Sequence, residues 1–279
     1  MTLKEAITIF GYHQRSNLKP RTIRSYQPLL QKLEVHFGDR SFDSIGSDEI
    51  FQFLERFTEN HSRSTRRLRY AQLKAFFNFL IDKCNLNMKN PCDASLLSKA
   101  FKTPKQVPRR VLDKETVEEL IYNAQTLRDR LILELQARCG LRIGETLKIK
   151  VSDAVDRRLM LKEPKSGKES EVAFMPEQIA NRLRDYIQQE NLSSEDRIFP
   201  ICYSTARALI KNLAVRLNVV LTPHDLRRYS ATYASRNGVP LEIVSKVILR
   251  HQDLKTTQAY LGRVTESEAI RWMDSLHGR

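Results

Sequence analysis

The sequence of 279 residues has few cysteines and no long apolar run. The four cysteines show neither CxxC pairing nor metal-ligand spacing, which predicts reduced thiols packed as small hydrophobic residues in a cytosolic protein. No apolar stretch approaches the roughly 18–20 residues that a membrane span needs. The N-terminus, Met1 to Glu5, also lacks the apolar core of a signal peptide. These absences argue against secreted disulfide-rich, zinc-ribbon and membrane-spanning classes, and they predict a cytoplasmic protein without a membrane partner.

Acidic residues are also in deficit. The chain has 47 Lys and Arg against 33 Asp and Glu, a formal net charge of +14, within a globular composition of 41% hydrophobic and 29% charged residues. The excess is spread along the chain, with 16 basic and 10 acidic residues in 1–100 and 31 and 23 in 101–279. A basic surface distributed in this way favours a polyanion such as DNA or RNA as partner. A basic protein without a nucleic-acid role stays the alternative at this point.

Residues 1–99 read as a domain of helices, the clearest of which runs from about Ser64 to Lys83 because Leu73, Phe76, Phe77 and Leu80 form an apolar stripe at helical spacing. Four arginines crowd the N-terminal end of this helix: Arg63, Arg66, Arg67 and Arg69. Cations are disfavoured there by the helix dipole. We therefore expect the arginines to contact DNA phosphates, with a solvated basic face as the alternative.

Residues 100–110 form a linker with two prolines, four cations and no periodicity, and prolines favour an extended path. A basic tether between two basic domains would let a clamp close round a duplex, so Arg109 and Arg110 are further candidate DNA contacts. Residues 111–279 read as a second, mostly helical domain. It contains one predicted hairpin, Arg158 to Phe174, with a turn around Lys165.

The last fifth of the chain gathers residues suited to phosphate chemistry. Thr222 and Pro223 are typical of a helix start, which would put His224 in the first turn and Arg227 on the same face. His251 should lie in a turn, and Asp253 can cap the next helix, which carries Tyr260. Histidines, an arginine and a phenol, with no cluster of metal ligands beside them, indicate covalent chemistry on a phosphodiester without a metal.

These residues, together with Gly140-Leu-Arg142-Ile-Gly-Glu145 and Lys165-Ser-Gly, resemble the successive motifs of the tyrosine recombinase (phage integrase) family. The resemblance covers nearly the whole chain, and five motifs in the family's order are far more specific than any one of them. It implies a mainly α fold with a small β-hairpin or sheet: a SAM-like helical core-binding domain, a linker, and a mostly α catalytic domain with a C-terminal helix at 265–276.

The resemblance also implies residue roles. Tyr260 would attack the phosphate and hold it as a 3′-phosphotyrosyl ester, and Arg142 and Arg227 would bind the nonbridging oxygens. Lys165 would be the general acid for the 5′-oxygen. His224 would assist proton transfer at the phenol.

In the same pattern, His251 would donate to phosphate, and Glu145 would orient the active-site groups. No cofactor or metal is implied. The chain departs from the family at Arg250, where glycine is usual, and at Glu171, where a basic residue is common. We expect either that the turn at Arg250 is built differently from the family's or that Arg250 adds a phosphate contact.

The function implied is that of a site-specific DNA recombinase, cytoplasmic and nucleoid-associated, which acts as a homotetramer on two duplex sites and can be a monomer free in solution. The C-terminal helix would dock on a neighbouring subunit or on its own domain. A first helix that begins within about twenty residues of Met1, at Pro20, favours a Xer-like arrangement without an arm-binding domain. Chromosome dimer resolution, mobile-element integration and the need for an accessory activator all stay open. So do three alternatives: a type IB topoisomerase, a telomere resolvase and a non-catalytic DNA-binding regulator.

Overall fold

The computed structural model describes residues 1–102, 112–162, 169–261, 270 and 273–274. The chain divides into two compact units, residues 1–107 and 108–279. The described residues are mostly helical and contain one three-stranded sheet, which confirms the fold class predicted from the sequence. The predicted linker, 100–110, and the predicted C-terminal helix, 265–276, lie largely outside the described residues, and the domain bounds 1–99 and 111–279 stay a prediction.

The first unit is built from helices. Those described are α1 Leu3–Asn17, α2 Pro20–Phe37, α3 Ser47–Thr58, α4 Arg63–Lys83 and α5 Ser95–Ala100. Helix α4 matches the predicted helix within one residue, and the stripe that predicted it is fully buried in the core of the unit. Helix α1 was not predicted. It begins with a capping box, in which the Glu5 N–H donates to Thr2 Oγ1 at 3.2 Å and the Thr2 N–H donates to Glu5 Oε2 at 2.9 Å.

The second unit is organised around one buried helix. Its helices are α6 Lys114–Tyr122, α7 Leu127–Ala137, α8 Ile143–Thr146, α9 Glu177–Gln189, α10 Tyr203–Arg216, α11 Pro223–Arg236, α12 Leu241–Ile243 and α13 Leu254–Leu261. Every residue of α7 from Leu131 to Ala137 is buried, because α6, α9 and α11 all pack against it. A π-helical turn, Val244–Ile248, continues from α12. Helices α8 and α11, which carry two of the predicted motifs, both pack against α7.

The sheet confirms the predicted hairpin and adds one short strand. Strands β1 Ala154–Val155, β2 Arg158–Lys162 and β3 Ser170–Phe174 pair antiparallel in chain order. Residues 163–168, including Lys165, lie outside the described residues. On the buried face of the sheet, Glu171 stands opposite Leu161 in register, where strand alternation would place an apolar side chain.

A search of the described residues finds no helix with the length and apolar character needed to cross a lipid bilayer.

Candidate active site

Helix α8 positions the first arginine of the predicted set. The Arg142 backbone N–H donates to Glu145 Oε2 at 2.9 Å, and Arg142 Nη1 donates to Glu145 Oε1 at 2.5 Å. The carboxylate thus fixes both the start of the helix and the guanidinium. With 26% of its side chain exposed, Arg142 can reach a ligand from this position.

Arg227 is entirely buried, with 0% of its surface exposed. Its guanidinium donates to the carbonyls of Gly140 and Leu249, and Nη1 lies 3.9 Å from Glu145 Oε2. Arg227 therefore joins the turn before α8 to the turn after the π-helical segment. It brings a positive charge beneath the site, although the sequence led us to expect direct contact with phosphate.

The start of α11 confirms the predicted helix start. Helix α11 begins at Pro223, and the Asp225 carboxylate accepts hydrogen bonds from the Thr222 N–H at 2.9 Å and from the Thr222 hydroxyl at 2.6 Å. His224 therefore lies in the first helical turn, as predicted, and its residue surface is exposed. Arg227 follows three residues later on the same face.

His251 is held by the π-helical turn and by α13. Its backbone N–H donates to the Ser245 carbonyl at 2.9 Å. Its Nδ1 lies 2.9 Å from Thr257 Oγ1, and the Thr257 hydroxyl donates to Ser245 Oγ, also at 2.9 Å. The Lys246 ammonium donates to the Gln252 carbonyl at 2.8 Å and so closes the turn. All of the side chains in the Ser245–Thr257–His251 chain are buried.

Tyr260 lies on α13, one helical turn after Thr257. Since Thr257 contacts His251, the helix that carries the predicted nucleophile is tied directly to a predicted catalytic histidine. Asp253 caps this helix as predicted, because its Oδ1 accepts the Lys255 N–H at 2.9 Å.

The pKa values show how strongly positive this site is. Burial, and after it the charges of Arg227, Arg142, Arg250 and His224, together lower the pKa of His251 to about 4. The ring is therefore neutral at pH 7. Because these charges act on His251, the four side chains lie within electrostatic reach of it, and the structure brings the motifs of Arg142, His224 and Arg227, and His251 together.

Glu145 is the negative counterpart of this cluster. Burial alone would raise the pKa of its carboxyl, but the charges of Arg250, Arg142 and Arg227 and the Arg142 backbone N–H together hold the pKa below its ordinary value. A carboxylate that stays ionised among arginines keeps them oriented. This environment fits the predicted supporting role of Glu145.

Arg250 points inward rather than towards solvent. Its side chain is 4% exposed, and Nη2 donates to Glu145 Oε2 at 2.9 Å. Its Nε lies 3.6 Å from Glu171 Oε2 on β3. The guanidinium is therefore directed at buried carboxylates, whereas the sequence led us to expect a phosphate contact.

A cleft of about 520 Å³ opens between β3 and the turn that carries His251. Lys246, Gln252 and the edge of β3 line it together with His251 and Arg250. A negatively charged ligand in this cleft would contact His251 with buried arginines behind it.

The four arginines of α4 divide into two kinds. Arg66 pairs with Glu55 and lies 5.2 Å from the Phe101 ring centroid, while Arg69 bonds Gln72 Oε1 at 2.9 Å. Arg67 is half-buried like these two and lies 5.2 Å from the Tyr70 ring centroid, whereas Arg63 is exposed. Packing within the unit therefore accounts for part of the cluster. The predicted contacts Arg109 and Arg110, like Lys165, lie outside the described residues.

Ser245 and Thr257 were not predicted as site residues, and Glu171 was noted only as a departure from the family pattern. The first two are small polar residues on helices, and only their burial beside a histidine gives them a role. A signal did exist for Glu171, since a charged residue stands at a position of the strand that alternation predicts to be buried.

Comparison with known families gives two matches. Residues 110–266 match the phage integrase family, and residues 12–83 match the phage integrase N-terminal SAM-like domain. Together they account for most of both units. The first match alone spans more than half of the chain.

Curated and solved proteins give the same picture. The chain is 28% identical over 271 residues to the tyrosine recombinase XerD of Proteus mirabilis, covering 89% of this chain and 85% of the relative. Its fold matches the Tn1549 transposon integrase, solved in complex with a circular intermediate DNA, with a TM-score of 0.79 at 19% identity over 99% of both chains. It also matches a lambda integrase tetramer bound to a Holliday junction, with a TM-score of 0.71 at 18% identity over 91% and 78% of the two chains.

Proposed function

The chain belongs to the phage integrase family, and from this premise we propose that it is a site-specific DNA recombinase that cleaves and rejoins strands through Tyr260. The observation that carries the proposal is the tie between His251 and α13 one turn before Tyr260, within a cluster that also contains Arg142 and Arg227. No finding favours a topoisomerase, a telomere resolvase or a regulator.

The covalent step exchanges one ester for another. Tyr260 Oη attacks the scissile phosphorus, the bond from phosphorus to the 5′-oxygen breaks, and a 3′-phosphotyrosyl ester and a 5′-hydroxyl result. The phenolic proton leaves with the assistance of His224, and Lys165 delivers a proton to the 5′-oxygen. The energy of the phosphodiester is kept in the ester, so a second 5′-hydroxyl can reverse the reaction on another strand.

The arginines stabilise the negative charge of the pentacoordinate transition state. Arg142, the more exposed of the two predicted arginines, would bind the nonbridging oxygens directly, at about 3–4 kcal/mol for a well-placed donor. Arg227 would act from beneath, through its charge and through the two carbonyls that it fixes. This division of roles follows the burial of the two side chains.

We propose that duplex DNA also contacts the first unit. A groove of about 550 Å³ on that unit is lined by Arg67, Lys74 and Lys102 with the Tyr70 ring among them. Cations along a groove are suited to phosphate contacts. By analogy with the lambda integrase tetramer, four copies would assemble on two sites, and the protein would be found with the nucleoid.

A library of nicked duplexes with randomised sequence tests the proposal. The protein is incubated with the library in EDTA, and DNA that stays bound to protein after boiling in SDS is recovered and sequenced. We expect covalent adducts with one preferred site, because a nick beside the scissile phosphate releases the short 5′-hydroxyl strand and prevents religation. The adduct requires no metal.

Tyr260→Phe should abolish the adduct, and Tyr233→Phe is the matched control, since Tyr233 is an exposed phenol on α11. If the Tyr260 variant still forms adducts, the nucleophile is assigned wrongly. Lys165→Ala should cleave normal DNA poorly but cleave a 5′-phosphorothiolate substrate well, because that leaving group needs no proton. Equal defects on both substrates would remove Lys165 from the role of acid.

A further inference from the structure

The two departures from the family pattern contact each other. Arg250 replaces the usual glycine and Glu171 replaces the common basic residue, and their side chains form an ion pair with Nε and Oε2 3.6 Å apart. Both side chains are buried, with 4% and 6% exposed. Because an unpaired charge is costly at a buried position, each departure makes the other tolerable.

Arg250 reaches a second carboxylate and two carbonyls. Its Nη2 donates to Glu145 Oε2 at 2.9 Å and to the Gly140 carbonyl at 3.3 Å, and its Nη1 donates to the Ile248 carbonyl at 2.8 Å. One guanidinium therefore joins strand β3, the start of α8 and the turn before His251. The planar fork of arginine is suited to such a bridge, whereas the point charge of lysine is not.

The backbone of Arg250 also shows that the side chain has a purpose. Its φ is +51°, in the left-handed region that glycine adopts without strain and other residues adopt at a cost. A residue chosen only to make this turn would be glycine. The ion pairs that the guanidinium forms with Glu171 and Glu145 offset this backbone strain.

We infer that Arg250 is a positioning residue, which with Glu171 fixes strand β3 against the turn that presents His251 and holds Glu145 in place for Arg142. This inference rests on the proposed recombinase function, since it assigns the bridge a task in strand cleavage. It also replaces the expected phosphate contact of Arg250. A positioning residue should affect cleavage without changing the salt dependence of DNA binding, whereas a phosphate contact should change that salt dependence.

The experiment uses the full chain and four proteins: wild type, Arg250→Gly, Glu171→Gln and the double variant. Single-turnover cleavage is measured on a nicked duplex carrying the site recovered from the library. Although glycine relaxes the turn, Arg250→Gly should slow cleavage by about tenfold or more, because it leaves two buried carboxylates short of a cation. Adding Glu171→Gln should raise the cleavage rate of the Arg250→Gly protein by at least about threefold, since one of those carboxylates is then replaced by a neutral amide.

DNA binding at several salt concentrations separates positioning from contact. We expect the slope of log affinity against log salt in Arg250→Gly to equal that of wild type. A loss of about one unit of slope would indicate a lost phosphate contact and overturn the inference. Cleavage by Arg250→Gly at the wild-type rate, or a double variant no faster than Arg250→Gly, would overturn it as well.

Melting temperatures of the same four proteins make the result independent of the proposed function. The shift of the double variant should be smaller than the sum of the single shifts, because the two side chains are coupled. The exposed pair Lys150 and Glu195, 2.8 Å apart, is the matched control and should give small, additive shifts. Absence of a covalent adduct with the wild type would refute the recombinase proposal, and additive shifts for Arg250 and Glu171 would refute the bridge.

Discussion

Thr257→Val tests the buried chain that positions His251. The Thr257 hydroxyl donates to Ser245 Oγ, so the hydrogen bond with His251 must use the Nδ1–H of the ring as donor. Valine keeps the β-branched shape and removes the hydroxyl. The variant therefore deletes two buried hydrogen bonds with little change in volume.

The magnitude follows from the groups that lose their partner. Replacing Thr257 removes an acceptor from His251 Nδ1–H and a donor from the Ser245 hydroxyl, both in buried residues. Each such loss costs about 1–3 kcal/mol, so the two together should lower the free energy of unfolding by about 2–6 kcal/mol. For a unit of this size, that range corresponds to a melting temperature lower by about 4–24 °C.

Differential scanning calorimetry at pH 7 measures the effect, with Thr256→Val as control. Thr256 is the exposed neighbour on the same helix, and its variant should melt within about 2 °C of wild type. Ser245→Ala should have a melting temperature between those of the two threonine variants, because it removes only the hydrogen bond at the far end of the Ser245–Thr257–His251 chain. If Thr257→Val melts with Thr256→Val, the hydrogen-bond chain does not hold His251 and the argument is refuted.

Three further predictions concern charge and backbone. His251→Asn should remove a pH-dependent part of the free energy of unfolding. Because the pKa of His251 is about 4 in the folded protein and ordinarily 6.5, this contribution is complete above about pH 6.5 and is lost as the pH falls to 4. Urea titrations of the variant and of wild type should show a contribution of up to about 1–2 kcal/mol after solvent screening. Arg63→Ala should lower the slope of log affinity for DNA against log salt by about one and leave the melting temperature unchanged. Arg66→Ala should instead lower the melting temperature, because its guanidinium packs within the unit. Equal effects of the two variants would contradict this division. Gly140→Ala should destabilise the protein by about 2 kcal/mol or more, because φ is +63° and the added Cβ would lie 2.8 Å from a carbonyl oxygen of the π-helical turn. Gly144→Ala is the control in the same melting assay. It should be neutral or stabilising, because its added Cβ would have no atom within 4 Å.

Local chemistry made much of the fold predictable. The stripe on α4 and the start of α11 at Pro223 follow from residues within one or two turns of each other. The hairpin follows from strand alternation and turn residues in the same way. Helix α1 was missed although its capping residues, Thr2 and Glu5, were present in the sequence.

The contacts within the site could not be predicted, because they join distant parts of the chain. Arg250 and Glu145 are 105 residues apart in sequence, and no periodicity links them. The family resemblance implied a phosphate contact for Arg227, but its burial among carbonyls is a property of the folded packing. Residue types indicated the reaction, whereas the assignment of each guanidinium required the structure.

The protonation of His251 links these contacts to DNA binding. The three arginines near His251 outnumber the two carboxylates, Glu145 and Glu171, by one positive charge. This excess charge contributes to the low pKa of His251. A bound phosphodiester adds one negative charge and should raise that pKa. The ring, with its proton on Nδ1, would then gain a second proton on Nε2 and be able to donate to phosphate, as its predicted role requires. Proton uptake on DNA binding at about pH 5–6, measured by calorimetry in buffers of different ionisation enthalpy, should therefore occur in wild type and be absent in His251→Asn. Equal uptake by both proteins would show that the phosphate does not act on this histidine.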